Sequence, residues 1–525
     1  MAKMKIKEPE VDVEKKVVKY TIISVFLILL GIFNYFVLSD ILGSNDSYIN
    51  NYEEEKVVAV REPAVAGIFY AADRKKLDET VEHYLKTSDN ETILPKLMIV
   101  PHAGYQYSGY VAGKAYAILK KYADEIKTVI IVGPSHHTNL YGAAMPQYEQ
   151  FKTPLGSVKV DTELAKEIAQ KPRFKIANLA HNKEHSIEVQ IPFLQKVLNN
   201  FKIVPVAYGA ITSEELAFGL APYLNRKDTI IIFSADLSHY NHYETAQKMD
   251  AYTEQMIMNK EAEVSNELSC GATGINTALI LANQNNLYPE TIEMLNSGDI
   301  TGDKENVVGY GAWNFSIREP KKEMVYKGID TELKSLQEYT EKYGQELLSI
   351  AKISLEDAVL REEKFRPSRK DYSEALFDKG ASFVTIEKNG ELRGCVGTII
   401  PYQAVSLDVA SSAFNAARED KRFDKVSNNE LTNIKITISL LTNLERIRYV
   451  DEKDLLSKIE QNSDGIVIRE GDRQGLFLPS VWKEFKTTKE FLDALKLKTG
   501  MSPSYWSNRI KVYRFKTVEV KENEN

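Results

Sequence analysis

Three short apolar runs in the first half of the chain predict strands that are buried on both faces. They are LMIV at Leu97–Val100, TVIIV at 128–132 and TIIIF at 229–233. Unbroken apolar runs separated by helical stretches are typical of a mostly parallel sheet that is covered by helices. Residues 60–318 are therefore predicted to form an α/β domain.

Beyond that domain the pattern changes to helices grouped with hairpins. A helical period over 336–360 precedes two alternating runs that meet at Asn389-Gly390, the dipeptide most typical of a tight hairpin. A further helix is predicted over 404–420. Hairpins grouped with helices, rather than strict strand–helix–strand alternation, indicate an α+β domain.

The α+β pattern continues to the end of the chain. IKITISLL at Ile434–Leu441 predicts a strand, and GIVIREGDRQGLFLP predicts two strands around a turn at 470–472. A terminal helix is predicted to end at Gly500, since glycine is typical of helix C-termini. The charged stretch before this domain lacks an apolar period, which indicates a linker at 319–334 and a second domain at 335–525.

The longest uninterrupted apolar run lies near the N-terminus. No charged residue occurs in 20–38, and a helix of that length nearly spans a hydrocarbon core of about 30 Å. The run predicts a transmembrane helix between an N-terminal segment, 1–19, and a linker, 39–59. Basic residues precede it and acidic residues follow it: Lys15, Lys16 and Lys19, then Asp40 and Asp46. The positive-inside rule then keeps the N-terminus in the cytoplasm and places both soluble domains across the membrane.

Composition narrows the function classes. The chain has 525 residues, 43% of them hydrophobic, which excludes a mainly disordered protein and leaves room for two or three domains of about 150 residues. Its 67 basic and 74 acidic side chains give a net charge of −7, which argues against a nucleic-acid partner. Two cysteines cannot build a disulfide framework.

The 8 histidines all lie in the first half of the chain, and three of them follow the predicted buried strands. His102 follows the first strand, His136 the second and His239 the third. The carboxyl ends of parallel strands form the edge at which α/β sheets bind ligands, so these imidazoles are expected to share a site. Taken alone, each is better explained as a capping or hydrogen-bonding residue, and it is the three equivalent positions together that favour a shared site.

Three further residues are predicted to belong to this site. Cys270 precedes a helix of small residues, whose N-terminal dipole is expected to lower the pKa of the thiol; a buried structural cysteine is the alternative. Asp236 is a candidate metal ligand, acid–base group or orienting carboxylate near His239. His185 opens an amphipathic helix predicted to begin near Glu184. Several imidazoles with a thiolate are credible ligands for iron, copper or zinc.

The second domain contains no histidine, and its candidate cleft is less distinct. Arg393 and Cys395 lie in RGCVG, where two glycines let a ligand approach the backbone. Asp420 and Arg422 follow the next predicted helix. A cysteine beside arginine is a candidate nucleophile, but without a histidine as base a buried thiol is the better explanation.

The first domain resembles the Memo family, also called AmmeMemoRadiSam system protein B. The matching motifs, in the family's order, are REPAVAGIFYAAD, PHAGYQYSG, GPSHH, EHSIEVQIPF, SADLSHY and LSCGATGI. The resemblance implies an α/β fold similar to class III extradiol dioxygenases, with iron or copper held by His102, His136, His239 and Cys270. Class III dioxygenases hold Fe(II) with two histidines and one carboxylate, whereas His239 and Cys270 stand here in place of a clear carboxylate.

The second domain resembles the AMMECR family, AmmeMemoRadiSam system protein A. The matching motifs are LRGCVGTI, AREDKRF, TISLL, DGIVIREGDRQGLFLP and LKLKTGMSPSYW. The resemblance implies a compact α+β domain with a cleft near LRGCVGTI. The system's name records a third member, a radical SAM protein. This chain has no cysteine triplet for an iron–sulfur cluster, so that member is expected to be a separate partner protein.

The sequence thus predicts a membrane-tethered fusion with a metal-dependent oxidoreductase site in its first domain. His102, His136 and His239 hold the metal in this hypothesis, Cys270 is a ligand or redox thiol, and the substrate is a small molecule or peptide. A non-catalytic scaffold that binds a peptide or other ligand in a dioxygenase-like cleft is the alternative from another function class. A zinc hydrolase is a third hypothesis, since histidine and cysteine suit zinc equally well.

Overall fold

The computed structural model describes residues 60–86, 93–317, 329–471, 473–507 and 509–522. The transmembrane helix predicted over 20–38 and its flanking segments, 1–19 and 39–59, lie outside the described residues. Within the described ranges no helix is both long and apolar enough to cross a membrane.

The first domain is built on a mixed sheet that contains twelve strands over the described residues. They are β1 Val60–Arg61, β2 Leu97–Val100, β3 Thr128–Pro134, β4 Ala143–Met145, β5 Gln150–Thr153, β6 Gly156–Val160, β7 Phe174–Ile176, β8 Lys202–Tyr208, β9 Thr229–Ser234, β10 His239–Asn241, β11 Tyr288–Asn296 and β12 Val307–Ser316. Neighbours follow the order β1-β5-β6-β8-β3-β9-β2-β12-β10, with β11 paired to β12 and β4 paired to both β7 and β8.

Two separate hydrophobic clusters cover the two faces of this sheet. Side chains alternate between faces along a strand, and accordingly Met98 and Val100 of β2 belong to one cluster while Leu97 and Ile99 belong to the other. The covering helices are Arg74–Tyr84, Tyr105–Ala117, Thr162–Ala169, Ile191–Val197, Ser213–Leu224, Tyr243–Met258, Ala272–Gln284 and Ser297–Thr301. The prediction of buried strands in an α/β domain is therefore confirmed.

The three strands predicted to deliver histidines are neighbours in the sheet. Strand β9 lies between β3 and β2, and it is parallel to both of them. Their carboxyl ends therefore meet at one edge, where ligands bind in sheets of this kind. Burial is complete along all three strands, because each runs through the middle of the sheet with helices on both faces.

One predicted helix boundary is wrong. The helix expected to begin near Glu184 starts later: a 3₁₀ turn spans Glu188–Gln190, and the α-helix Ile191–Val197 begins only after it. The side-chain oxygen Oε1 of Glu184 instead accepts a hydrogen bond from the backbone N–H of Ser186 (2.9 Å). That local bond competes with helical hydrogen bonding, so the residues around His185 form a loop.

The second domain contains two antiparallel four-stranded sheets. One has the order β14-β13-β15-β20 and the other the order β16-β19-β17-β18. Their strands are β13 Ser382–Lys388, β14 Glu391–Gly397, β15 Ile434–Leu441, β16 Glu445–Ile447, β17 Gly465–Glu470, β18 Arg473–Phe477, β19 Lys511–Phe515 and β20 Thr517–Lys521. The helices are Ile329–Leu360, Val405–Arg418, Glu452–Lys458 and Thr488–Lys498. This arrangement is the predicted α+β architecture.

The hairpin prediction at Asn389-Gly390 is confirmed. Both residues have positive φ (54° and 83°) between the paired strands β13 and β14, as a tight turn of this type requires. The last part of the segment predicted as linker, 319–334, is helical instead: the described residues resume at Ile329, which is buried and already helical.

Candidate metal centre

Three imidazoles converge at the edge formed by the ends of β2 and β3. His102 follows β2, His136 follows β3, and His185 comes from the loop before helix Ile191–Val197. One ligand atom from each ring lies within 4.8 Å of the others. The ring centroids of His136 and His185 are 4.4 Å apart, and His102 lies 5.2 Å from the first and 5.5 Å from the second. We call these three residues the imidazole cluster.

Hydrogen bonds at the buried side of His102 determine which ring nitrogen carries the proton. Ser234 Oγ donates its only proton to the carbonyl oxygen of Ser186 (2.7 Å), so it can only accept from Nδ1 of His102 (2.9 Å). Nδ1 is therefore protonated and Nε2 carries the lone pair. A metal ligand of the imidazole type needs this unprotonated nitrogen.

Glu184 orients the second imidazole of the cluster. Its Oε1 accepts from Nδ1 of His136 (2.9 Å), and its Oε2 accepts from the backbone N–H of His136 (2.6 Å). Oε1 also lies 3.5 Å from Nδ1 of His185. A carboxylate behind an imidazole fixes the ring and leaves Nε2 as the outward donor atom, which is the usual arrangement behind metal-bound histidine.

Burial and the neighbouring charges hold these groups in definite protonation states. Burial lowers the pKa of His102 to about 3 and that of His185 to about 3, and the nearby imidazole of His136 adds to both shifts. Although burial opposes ionisation of Glu184, the hydrogen bonds from His136 and from the backbone N–H of Ser186 hold the pKa of its carboxyl well below the usual range. The result is neutral His102 and His185 beside an ionised carboxylate, the form in which imidazole can bind a metal.

Cys270 lies close to the cluster, as predicted, but as a thiol. Its Sγ is 3.3 Å from Nε2 of His102. The expected thiolate is wrong for this geometry, because burial and the charge of Asp236 raise the pKa of Cys270 to about 12, against the N–H groups at the helix start. Gly271 lets the segment come this close: a Cβ there would lie 2.3 Å from the Cβ of Ala235.

The carboxylate of Asp236 hydrogen-bonds to the backbone of His102 and so helps to position that residue. Its Oδ1 accepts from the backbone N–H of His102 (2.7 Å), and its Oδ2 lies 3.9 Å from Nε2 of the same residue. Burial raises the pKa of Asp236 to about 6, although the N–H of His102 and the charge of His239 oppose that shift. Asp236 was predicted as a metal ligand, an acid–base group or an orienting carboxylate, and its hydrogen bond from the N–H of His102 directly supports the orienting role.

His239 was expected among the metal ligands, and the structure places it beside the imidazole cluster rather than in it. Its Nδ1 is 2.8 Å from the carbonyl oxygen of Leu237, and its backbone pairs with Val308. It still acts electrostatically on His102 and Asp236. His185, which was predicted as a catalytic residue, provides the third imidazole of the cluster instead.

Glu184 and Ser234, which hydrogen-bond the rings of the imidazole cluster, were not predicted from the sequence. The sequence contained a signal for each of them. Ser234 is a hydroxyl residue directly after a predicted strand, and Glu184 is an acidic residue directly before the candidate His185. Neither signal reveals the partner, because Glu184 contacts a histidine 48 positions away.

The predicted second-domain cleft is held together by ion pairs. Arg393 forms two hydrogen bonds with Glu430, from Nε (3.0 Å) and Nη2 (3.2 Å). Asp420 accepts from the backbone N–H of Cys395 (2.9 Å) and pairs with Arg422. Burial raises the pKa of the Cys395 thiol, although the hydrogen bond from Thr385 and the charge of Arg422 oppose that rise. The structure therefore favours a half-buried, protonated thiol at Cys395 over an activated nucleophile.

Two family models match the chain in the order of its two domains. Residues 61–314 match the family described as Memo-like protein, and residues 348–520 match the family described as AMMECR1.

Curated relatives cover the first domain. A MEMO1 family protein from Methanobrevibacter smithii is 37% identical over 283 residues, which are 49% of this chain and 99% of that protein. A MEMO1 family protein from Sulfurisphaera tokodaii is 36% identical over 279 residues, which are 48% of this chain and 97% of that protein.

Among solved structures, an uncharacterized protein from Pyrococcus horikoshii is 28% identical with a TM-score of 0.32, covering 34% of this chain and 90% of that chain. An uncharacterized protein from Escherichia coli is 11% identical with a TM-score of 0.29, covering 42% of this chain and 99% of that chain.

Proposed function

Because the chain belongs to the Memo-like protein family and carries an AMMECR1 region behind that domain, we propose that it is a metal-dependent oxidoreductase that uses iron or copper. The observation that carries the proposal is the imidazole cluster, in which three ring nitrogens from separate segments lie within 4.8 Å of one another. Burying several imidazoles together is costly unless they bind a shared ligand or are kept neutral.

The donor atoms fit such an ion. Nδ1 is engaged by Ser234 in His102 and by Glu184 in His136, so both residues present Nε2 as a lone-pair donor. The sulfur of Cys270 lies next to the first of these nitrogens. Imidazole with cysteine sulfur suits iron, copper and zinc once the thiol has released its proton and binds the ion as thiolate, and the redox-active metals are those that serve an oxidoreductase. When bound, such an ion supplies Lewis acidity and one-electron chemistry.

His102 and His136 belong both to the ligand set implied by the sequence and to the imidazole cluster, so they form the core of the proposed site. The remaining donors come from His185, His239 and Cys270. Side-chain exposure at His136 is 29%, whereas His102 is 2% exposed, so a substrate reaches the site from the side of His136.

Asp236 is a group of this site whose pKa lies close to neutral pH. Burial raises its pKa to about 6, and its Oδ2 lies 3.9 Å from Nε2 of His102. An acid–base group acts best when its pKa is near the working pH. We assign Asp236 Oδ2 as the atom that takes up or releases a proton at the site.

The test is oxygen consumption by purified full-length chain loaded with iron or copper and supplied with catechols or thiols. An oxidoreductase consumes oxygen with at least one substrate class, and His102→Ala abolishes the consumption while His242→Ala, on an exposed residue outside the cluster, does not. A chain that binds these compounds or a peptide without consuming oxygen, with or without the metal, is the binding scaffold instead.

We also propose that residues 20–38 anchor the chain in a membrane with its two domains on the side opposite the N-terminus. The support is the uncharged apolar run with lysines before it and acidic residues after it. A cysteine introduced at an exposed site such as Phe218→Cys reacts with a membrane-impermeant maleimide in intact cells if this orientation is right. Labelling only after lysis places the domains inside and overturns the orientation.

A further inference from the structure

The two domains of the described chain meet along a cleft of about 950 Å³. One wall comes from helix Tyr243–Met258 and the segment after it, and the other wall from the β16-β19-β17-β18 sheet. Tyr513 donates a hydrogen bond from Oη to Oε2 of Glu261 across this boundary (2.6 Å), and Lys511 pairs with Glu263. A concave space of this volume, at a junction between domains, is typical of small-molecule sites.

The described residues that line the cleft carry a surplus of positive charge. Five of them are cationic and two are carboxylates. The carboxylate of Glu470 is compensated twice, by Nη2 of Arg473 (3.2 Å) and by Nε of Arg509 (3.9 Å). The carboxylate of Glu263 is compensated by Lys511.

Arg446 and Arg469 are the two remaining cations, and neither has an acidic partner in the part of the chain that the structure describes. Both lie on the same face of the sheet. Arg446 pairs across the strands with Tyr513, Tyr513 pairs with Val467, and Arg469 is two positions further along that strand. Side chains two positions apart in a strand share a face, so the two guanidinium groups project from one side of the sheet.

The guanidinium of Arg469 is positioned by one aromatic ring from each domain. Its guanidinium lies 4.8 Å from the ring centre of Tyr252 and 5.2 Å from that of Tyr513. Nε donates to Oε1 of Gln474 (2.7 Å), which orients the plane of the group. The residue is 8% exposed, and a guanidinium oriented in this way needs little further ordering to bind an anion through its Nη atoms.

We propose that this cleft binds a small organic phosphate, with the phosphate between Arg446 and Arg469 and the apolar part of the ligand against Met256 and Leu268. Two uncompensated guanidinium groups match the roughly two negative charges of a phosphate monoester at neutral pH. The proposal does not depend on the metal site, since none of its residues belongs to the imidazole cluster.

The experiment is isothermal titration of the full-length chain with three probes: inorganic phosphate, adenosine diphosphate and adenosine. We expect saturable binding of adenosine diphosphate, weaker binding of inorganic phosphate and no binding of adenosine. Arg446→Gln should weaken adenosine diphosphate binding by about tenfold or more, because one charge-assisted hydrogen bond is lost. Arg448→Gln is the matched control, since Arg448 is exposed on the same chain segment and does not line the cleft. The affinity of this variant for adenosine diphosphate should stay within about twofold of that of the wild type.

A measurement on the unmodified chain keeps the test decisive if Arg446→Gln fails to fold. Phenylglyoxal modification followed by mass spectrometry should show that adenosine diphosphate protects Arg446 and leaves Arg448 reactive. Equal binding of adenosine and adenosine diphosphate, equal affinities of the two variants, or no protection at Arg446 would each overturn the proposal. So would the absence of saturable binding of both phosphate probes.

Discussion

The Nε2 atom of His102 lies 3.3 Å from the Sγ atom of Cys270, although 168 positions separate the two residues in the chain. The contact exists because the end of β2 and the start of helix Ala272–Gln284 meet at the same edge of the sheet. An imidazole lone pair beside a cysteine sulfur becomes a metal-type donor pair when the thiol is deprotonated, so this contact places a sulfur next to the imidazole cluster. Four predictions follow from this region and from the junction between the domains.

The double substitution His102→Ala with His136→Ala should remove the metal. These residues supply the two Nε2 atoms whose orientation is set by Ser234 and Glu184. Full-length chain purified beside the variant should retain iron or copper in elemental analysis, and the variant should retain none. His242→Ala is the control, because its side chain is 56% exposed and lies outside the cluster. Equal metal content in the double variant would contradict the proposed site.

His185→Ala and His239→Ala, measured alongside, identify the third imidazole ligand by the larger loss of affinity.

Glu184→Gln should weaken metal binding by roughly 10- to 100-fold while leaving all three imidazoles in place, because the neutral amide orients His136 less well than the carboxylate. Competition with a chelator measures the affinity. Glu79→Gln makes the same chemical change on a side chain that is 67% exposed, and it should have no effect. An unchanged affinity in Glu184→Gln would show that this carboxylate does not act on the metal.

Asp250→Asn should stabilise the protein increasingly as the pH rises. Asp250 is 4% exposed, its Oδ1 accepts from the backbone N–H of Ser238 (3.0 Å), and burial raises its pKa from 3.8 to about 7. The folded state therefore holds a proton that the unfolded state loses near pH 4, so wild type loses stability as the pH rises from about 4 to about 7, whereas the amide variant does not. The difference in melting temperature in favour of the variant should grow from pH 5 to pH 8, corresponding to on the order of 2 kcal/mol. A difference that is constant with pH would show that Asp250 does not hold that proton.

Tyr513→Phe should destabilise the junction between the domains. The substitution removes the hydroxyl that donates to Oε2 of Glu261, a residue that is 4% exposed and whose Oε1 has no hydrogen-bond partner among the described residues. A buried carboxylate that loses its donor costs about 1–3 kcal/mol, which calorimetry detects as a lower melting temperature. Tyr141→Phe is the control, because that ring is 75% exposed. Adding Glu261→Met to Tyr513→Phe should restore part of the loss, and a double variant less stable than Tyr513→Phe alone would contradict the role of this hydrogen bond.

Much of the fold was predictable because its signals are local. The apolar runs of β2, β3 and β9 and the Asn389-Gly390 turn depend only on adjacent residues, so they appear in the sequence and again in the structure. Parallel pairing of those strands brings their carboxyl ends together. The convergence of His102 and His136 could therefore be inferred from the strand ends alone.

The helix near Glu184 was misplaced for the opposite reason. Its amphipathic pattern is a local signal, but the Glu184 carboxylate binds the N–H groups of Ser186 and His136, and the latter lies 48 positions away. A hydrogen-bond partner 48 positions away cannot be recognised from the hydrophobic pattern of the residues around Glu184. The same holds for the imidazole of His185, which the loop geometry brings into the cluster.

By itself the sequence determined the two domain types, the confinement of every histidine to the first half of the chain and the strand ends that carry three of them. Only the tertiary structure decided that His185 rather than His239 completes the imidazole cluster, that Glu184 and Ser234 orient its rings, and that Cys270 is a thiol. The physical reason is that pairing and burial depend on distances between segments remote in the chain. Burial and the charge of Asp236 raise the pKa of Cys270 more than the local backbone hydrogen bonds lower it, and that balance exists only in the folded molecule.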